Sequence, residues 1–212
     1  MQSLVVAVVD VGAPQNIGWW RQVEGDGRGG TNLDELGLLL AEDLNAGRSV
    51  ALGFEAPMFI PRPLTAGRLS RGRVGEGRWP WSGGPGTSVL ASGIQQSTYL
   101  LSTLRVNVER LPQVGYDLAV LAGPYPRLVV WEAFVSGHAK NRLADNPHVD
   151  DARSAVAEFV RRWDDEAMSS DIADSRVTSI AGLALLVAGL STDVGLLTQP
   201  CVVVRAPDLP IP

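Results

Sequence analysis

The chain is poor in the residues from which many sites are built. Its 212 residues include one cysteine, two histidines and a single lysine, Lys140. A lone thiol, Cys201, excludes an intrachain disulfide and a cysteine metal cage, and it fits a reducing, cytoplasmic setting. His138 and His148 lack metal-ligand spacing and read as ordinary surface or turn residues. Long apolar runs are also missing. The longest, Ile180 to Leu190, is about half of the ~20 residues needed to span a bilayer, so no membrane association is expected. The opening segment MQSLVVAVVD has neither the positive n-region nor the small-residue cleavage site of a signal peptide. There is no GxSxG elbow and no P-loop.

What is present is globular in character. A hydrophobic fraction of 45% and a charged fraction of 19% allow a packed core. The length suits one domain over residues 1–212, with no internal repeat and no dividing linker. The net charge of −5 argues against a surface that wraps duplex DNA by bulk electrostatics. That charge is unevenly spread. Between Arg62 and Arg78 five arginines face one glutamate, so the segment carries +4 and the remainder carries −9.

Periodicity gives an α/β order with a mixed sheet. Leu4 to Val9 is an apolar, β-branched run ending at Asp10, which reads as a buried strand. Ile17 to Val23 reads as a second strand returning antiparallel to it, followed by a Gly-rich break, GDGRGG. Asn32 and Glu35 form a capping-box pattern, and Leu33, Leu36, Leu40 and Leu44 mark an amphipathic helix over 32–46. Ser49 to Phe54 is a further strand, ending on Glu55. From about 61 to 92 the chain is a long Gly/Pro/Arg-rich loop without periodicity. A helical stripe (Ile94, Leu101, Leu104, Val108, Leu111) follows. Next come a strand over Arg127 to Val135 carrying Glu132, a helix over Asp150 to Trp163, a buried helix over Ile172 to Leu190, and a short strand over Cys201 to Val204.

Acidic residues stand out by position. Asp10 and Glu55 each end an apolar strand. A right-handed crossover through the intervening helix makes those strands parallel and sets both carboxylates at the same end of the sheet. Asp171 and Asp174 are spaced to share one face at the start of the buried helix. Converging carboxylates repel one another unless a cation neutralises them, and an all-oxygen ligand set suits Mg²⁺ or Mn²⁺. Two such ions can drive phosphodiester cleavage. Taken singly, each residue has a structural alternative: an aspartate after a strand bonds turn amides, and Asp171 caps a helix. Taken as a set, they point to a metal site.

The motif order VVAVVD, GFEAP, then DIAD opening an Ala-rich helix resembles the integrase and Holliday-junction-resolvase branch of the ribonuclease H-like superfamily. It is more closely similar to a family of uncharacterised prokaryotic proteins predicted to be ribonuclease H-like nucleases. The likeness extends to EAPMFIP, VVWEAF and DIADSRVTSIAGLALL. It implies a ribonuclease H-like mixed sheet flanked by helices and a metal-dependent nuclease. Asp10, Glu55 and Asp174 would be its metal ligands, Asp171 a fourth catalytic carboxylate and Glu132 a further acidic position at the metal. Two departures are visible. Only two of the three antiparallel opening strands are evident, and Asp174 is followed by Ser-Arg where Asp-Ala is usual. Arg176 then either contacts a phosphate or marks a lost metal site.

Arg62, Arg68, Arg71, Arg73 and Arg78, interleaved with Trp79 and Trp81, suit single-stranded or branched nucleic acid; a mobile surface loop with tucked tryptophans is the alternative. Lys140 is a further candidate phosphate contact, unless it reflects composition only. Trp19 and Trp20 are adjacent on a strand and face opposite sides, so one ring offers a homodimer contact or is covered by a helix. Gly12 after Asp10 is weakly similar to the phosphate loop of sugar kinase and actin-type ATPases, which need two such domains and a longer chain. The alternative to the nuclease is a catalytically inactive ribonuclease H-like module that binds nucleic acid, a nucleotide or a protein.

Overall fold

A computed structural model describes residues 3–76, 82–83, 86–118, 121, 126–135, 139–140, 144–165 and 168–208. Arg78, Trp79, Trp81 and His138 lie outside them. The strands are β1 (Leu4–Asp10), β2 (Gly18–Val23), β3 (Asp26–Gly30), β4 (Ser49–Glu55), β5 (Phe59–Pro61), β6 (Gln113–Gly115), β7 (Arg127–Phe134), β8 (Val177–Ser179) and β9 (Val203–Arg205). The helices are α1 (Leu33–Asn45), α2 (Thr87–Asn107), α3 (Pro147–Asp164) and α4 (Ile180–Val187).

Seven strands form one mixed sheet in the order β3-β2-β1-β4-β7-β6, with β9 pairing the later half of β7. The first three are antiparallel, whereas β4, β6, β7 and β9 join in parallel. This is the expected α/β arrangement, and its order is compatible with a ribonuclease H-like fold. Residues alternate across each strand, so the sheet has two apolar faces. Val5, Ala7, Val9, Leu52 and Phe54 pack under α1, α2 and α4. Val6, Val8, Ala51, Val129 and Trp131 pack under α3 through Ala152, Val156 and Phe159.

The third opening strand is the Gly-rich segment that reads as a break in the sequence. Glu24 and Gly25 both have positive φ, 49° and 90°, and lie between the paired residues Val23 and Asp26. That is the two-residue turn whose twist suits a hairpin. The glycines of β3 leave room for indoles. A Cβ at Gly27 would lie 2.4 Å from Trp20 Cζ2, and one at Gly30 would lie 2.6 Å from Trp19 Cζ2. Trp19 is fully buried and donates from Nε1 to the Asn32 carbonyl at 2.9 Å. Trp20 turns to the other face, beneath the Arg153 guanidinium, 5.7 Å from its ring centroid. The ring is half-buried and partly covered by the chain's own Arg153, the alternative to a homodimer contact.

Two further expectations change. The helix expected over Ile172 to Leu190 is only Ile180–Val187, because β8 precedes it and Ser179 caps it, its Oγ accepting from Gly182 N at 3.1 Å. Asp171 and Asp174 therefore do not open a helix. The 61–92 segment also carries structure: β5 pairs β8, Val74 bridges Ala173, and α2 begins at Thr87. Among the described residues no helix is long and apolar enough to cross a membrane.

Substituting Gly30 with Val drives a branched side chain into the Trp19 indole. Overpacking of this kind costs about 1–3 kcal/mol, and the urea midpoint should fall at unchanged slope. An unchanged midpoint would show that the indole has other room.

Candidate metal centre

Strand register assembles the site. Asp10 and Glu55 are Cα partners at the ends of the parallel pair β1 and β4. Neighbouring strands lie about 4.8 Å apart, so two carboxylates emerge side by side on the α3 face. Opposite Asp10 on β2 stands Gly18, where a Cβ would lie 2.3 Å from the His148 backbone. The missing side chain lets the first turn of α3 settle onto the sheet, bringing Asp151 and His148 over the acidic pair. Asn146 caps that helix, its Oδ1 accepting from Val149 N at 3.3 Å. Gly53 serves the same end of the sheet, since a Cβ there would meet the Trp131 indole at 2.6 Å.

The result is a buried cluster of Asp10, Glu55 and Asp151, each offering an oxygen within 4.8 Å of the others. Lys140 Nζ donates to Glu55 Oε1 at 2.7 Å and to Asp151 Oδ2 at 2.9 Å. His148 Nδ1 lies 2.5 Å from Asp10 Oδ2. Burial holds the Asp10 carboxyl above its ordinary range, against the pull of Lys140 and His148. Glu55 is pushed well above its own, first by burial and then by the charge of Asp10. The same carboxylates hold the Lys140 ammonium above its usual value, despite its burial.

Buried carboxylates elsewhere in this protein are matched by arginine. Asp43 is bound by Arg21 and Arg48, Glu132 by Arg73, and Glu158 by Arg161 and Arg162. The cluster differs, because three acids share one lysine and one histidine. Glu55 Oε2 and Asp151 Oδ1 are buried without a hydrogen-bond partner. Asp10 and Glu55 also lie within hydrogen-bonding reach of each other, so a proton shared between them or a divalent cation with oxygen ligands would balance the three acids.

Of the residues expected at a metal, the structure brings Asp10 and Glu55 together and adds Asp151. Glu132 is a Cα partner of Phe54, one residue before Glu55, and so faces the opposite side of the sheet. There it accepts from Arg73 at 2.5 and 2.6 Å and from Met58 N at 2.9 Å. Asp174 does not belong to the cluster; its Oδ2 accepts from Arg71 Nη2 at 2.7 Å. Asp171 is exposed and accepts from Arg205 N at 2.7 Å and from Arg162, tying down β9.

Among the expected nucleic-acid contacts, Arg62 and Arg68 are exposed and Arg71 is half-buried. Arg73 is buried inside the protein between Glu132 and Glu76, over the Phe59 ring, and is closed to any ligand. Its guanidinium compensates a carboxylate that the sheet has already buried. Lys140 is committed to the acidic cluster.

Asp151 and His148 were missed. Asp151 lies in helical phase with Ala155 and Phe159, so an acid on the apolar stripe of α3 was the available signal. His148 carried none, because its role depends on where α3 lands. Comparison with protein-family models, with curated proteins and with solved structures returns no match.

Three measurements follow from this geometry. Millimolar Mn²⁺ should raise the melting temperature of the wild type by mass action. Asp10→Asn and Asp151→Asn should abolish the increment, while Asp174→Asn should retain it. An increment lost only with Asp174→Asn would return that residue to the site. The increment should also depend on pH. Because Glu55 is raised in the folded protein, its stabilising contribution without metal is full below its unfolded value of 4.5 and is lost as pH rises through the folded one. Cation binding requires the ionised form, so the Mn²⁺ increment should be larger at about pH 8 than at about pH 5. Separately, Arg73→Ala strands Glu132 as a buried charge and should cost about 3–5 kcal/mol in chemical unfolding.

Proposed function

We propose that the protein holds Mg²⁺ or Mn²⁺ at Asp10, Glu55 and Asp151 and hydrolyses phosphodiester bonds in single-stranded or branched nucleic acid. The observation that carries this reading is the pair of unpartnered buried oxygens, on Glu55 and Asp151, within a cluster short of positive charge. A divalent cation held there supplies Lewis-acid activation of the phosphodiester and of the attacking water. The strand order and the resemblance of VVAVVD and GFEAP to ribonuclease H-like nucleases support the same reading. Asp151, from the helix over the sheet, takes the place expected of Asp174.

The chain's own groups have defined parts in this reading. Asp10 and Glu55 are set by the two most central parallel strands, so their separation is fixed by the backbone ladder. Asp10 orients His148 through Nδ1, which leaves Nε2 to accept a proton or hold a water. Lys140, partly exposed with its ammonium between two acids, would give up Glu55 and Asp151 to a bound cation and could then meet a substrate phosphate.

Lys140 also favours a second reading, a catalytically inactive module in which the lysine is the permanent counter-ion. A panel of labelled single-stranded, duplex, hybrid and branched substrates with Mg²⁺ or Mn²⁺ separates the two. The nuclease reading expects metal-dependent cleavage by the wild type, lost in Asp10→Asn and Asp151→Asn with the fold retained. Absence of cleavage across the panel, with no Mn²⁺ binding by calorimetry in either wild type or Lys140→Met, would leave the inactive module.

A further inference from the structure

We infer that the protein carries a second ligand site, independent of the acidic cluster: a pocket for closely spaced phosphates, built by Arg62, Arg68, Arg71 and Arg176. It is a concavity of about 400 Å³ lined by these four arginines and Asp174.

The antiparallel pair β5 and β8 sets its floor. Pro61 is the Cα partner of Val177, and the next backbone bond runs from Arg62 N to the Arg176 carbonyl at 2.8 Å. Arg62 and Arg176 therefore stand opposite each other at the end of a ladder. Like charges in that position are destabilising unless an anion lies between them. The other wall is the segment after β5. A single 3₁₀ turn over Ala66–Arg68 carries Arg68, and Ser70 follows at φ 61°, a left-handed conformation uncommon for a residue with a side chain. That reversal sends Arg71 back towards Asp174, and the Val74–Ala173 bridge holds the segment in place.

Charge is unbalanced there. Arg71 is matched by Asp174, whereas among the described residues the guanidinium groups of Arg62, Arg68 and Arg176 have no carboxylate partner. The three guanidinium groups are exposed and line one hollow without a carboxylate between them, an arrangement open to an anion from solvent. Planar, multiply donating guanidinium groups suit phosphate oxygens. Seven residues separate Arg62 from Glu55, which places the two sites within about 25 Å along the chain. The pocket does not require the acidic cluster to bind metal.

The test is calorimetry at low salt in EDTA, with tripolyphosphate and a short oligothymidylate as separate probes. The wild type should bind tripolyphosphate, and Arg62→Ala with Arg176→Ala should weaken it by roughly tenfold or more for each charge-assisted bond lost. Asp10→Asn should bind as the wild type does. The Lys replacements at Arg62 and Arg176 should recover part of the affinity. If the phosphates belong to a nucleic-acid backbone, oligothymidylate binds too, and removing Arg62, Arg68 and Arg176 together lowers the salt slope by about two. Tripolyphosphate binding alone would assign the pocket to a free polyphosphate. Binding of neither probe, or binding unaffected by the arginine substitutions in a protein of unchanged melting temperature, would overturn the site. Because metal is absent throughout, failure here leaves the acidic cluster untouched, and failure of the metal leaves this pocket untouched.

Discussion

Two carboxylates held side by side at the ends of adjacent parallel strands repel each other, and the surrounding structure accommodates that repulsion. Backbone register fixes Asp10 beside Glu55, so neither can retreat without breaking a ladder. Each glycine near them has a matching consequence. Gly18 admits the helix that brings Asp151 and His148. Gly53 admits the Trp131 ring, which fills the apolar flank of the site. Burial then raises both carboxyl groups, the charge of Asp10 raises Glu55 further, and Lys140 pulls both back down. A cation entering a site organised in this way would relieve repulsion already present in the fold.

The same sheet end contains a third acid, one residue out of step. Glu132 belongs to the opposite face and is neutralised by Arg73 through two short bonds. Sequence proximity to a candidate site motif therefore says little about side-chain direction, since the alternation of a strand decides it. The contrast also separates an acid with a fixed structural partner from the acids of the candidate site. Glu132 takes both guanidinium nitrogens of a buried arginine that it shares with Glu76, whereas Asp10, Glu55 and Asp151 gather around one partly exposed lysine.

Much of the fold was legible because burial repeats along an element. The apolar runs of β1, β4 and β7, the leucine stripe of α1 and the crossover that makes β1 and β4 parallel all follow from pattern. So do Asp10 and Glu55, which end those runs. The pattern fails where a residue matters through what it lacks. The glycines of β3 look like a break until the indoles they accommodate are known. Asp174 looked like a helix-start ligand because the Ala-rich stretch after it extends the helical pattern backwards, but Val177 and Thr178 are spent on pairing β5 instead. Asp151 was hidden because a helix offers its face to a site only after tertiary docking.

The burial of Arg73 has a consequence for the order in which the molecule folds. Its partner Glu132 lies 59 residues away, and a guanidinium withdrawn from water before that carboxylate is in place has nothing to compensate it. The central strands are therefore expected to align before the middle of the Arg-rich segment enters. Closing so long a connection carries an entropic cost and late, non-local contacts. Docking of the segment is thus expected late, against a β4–β7 ladder that already carries Glu132.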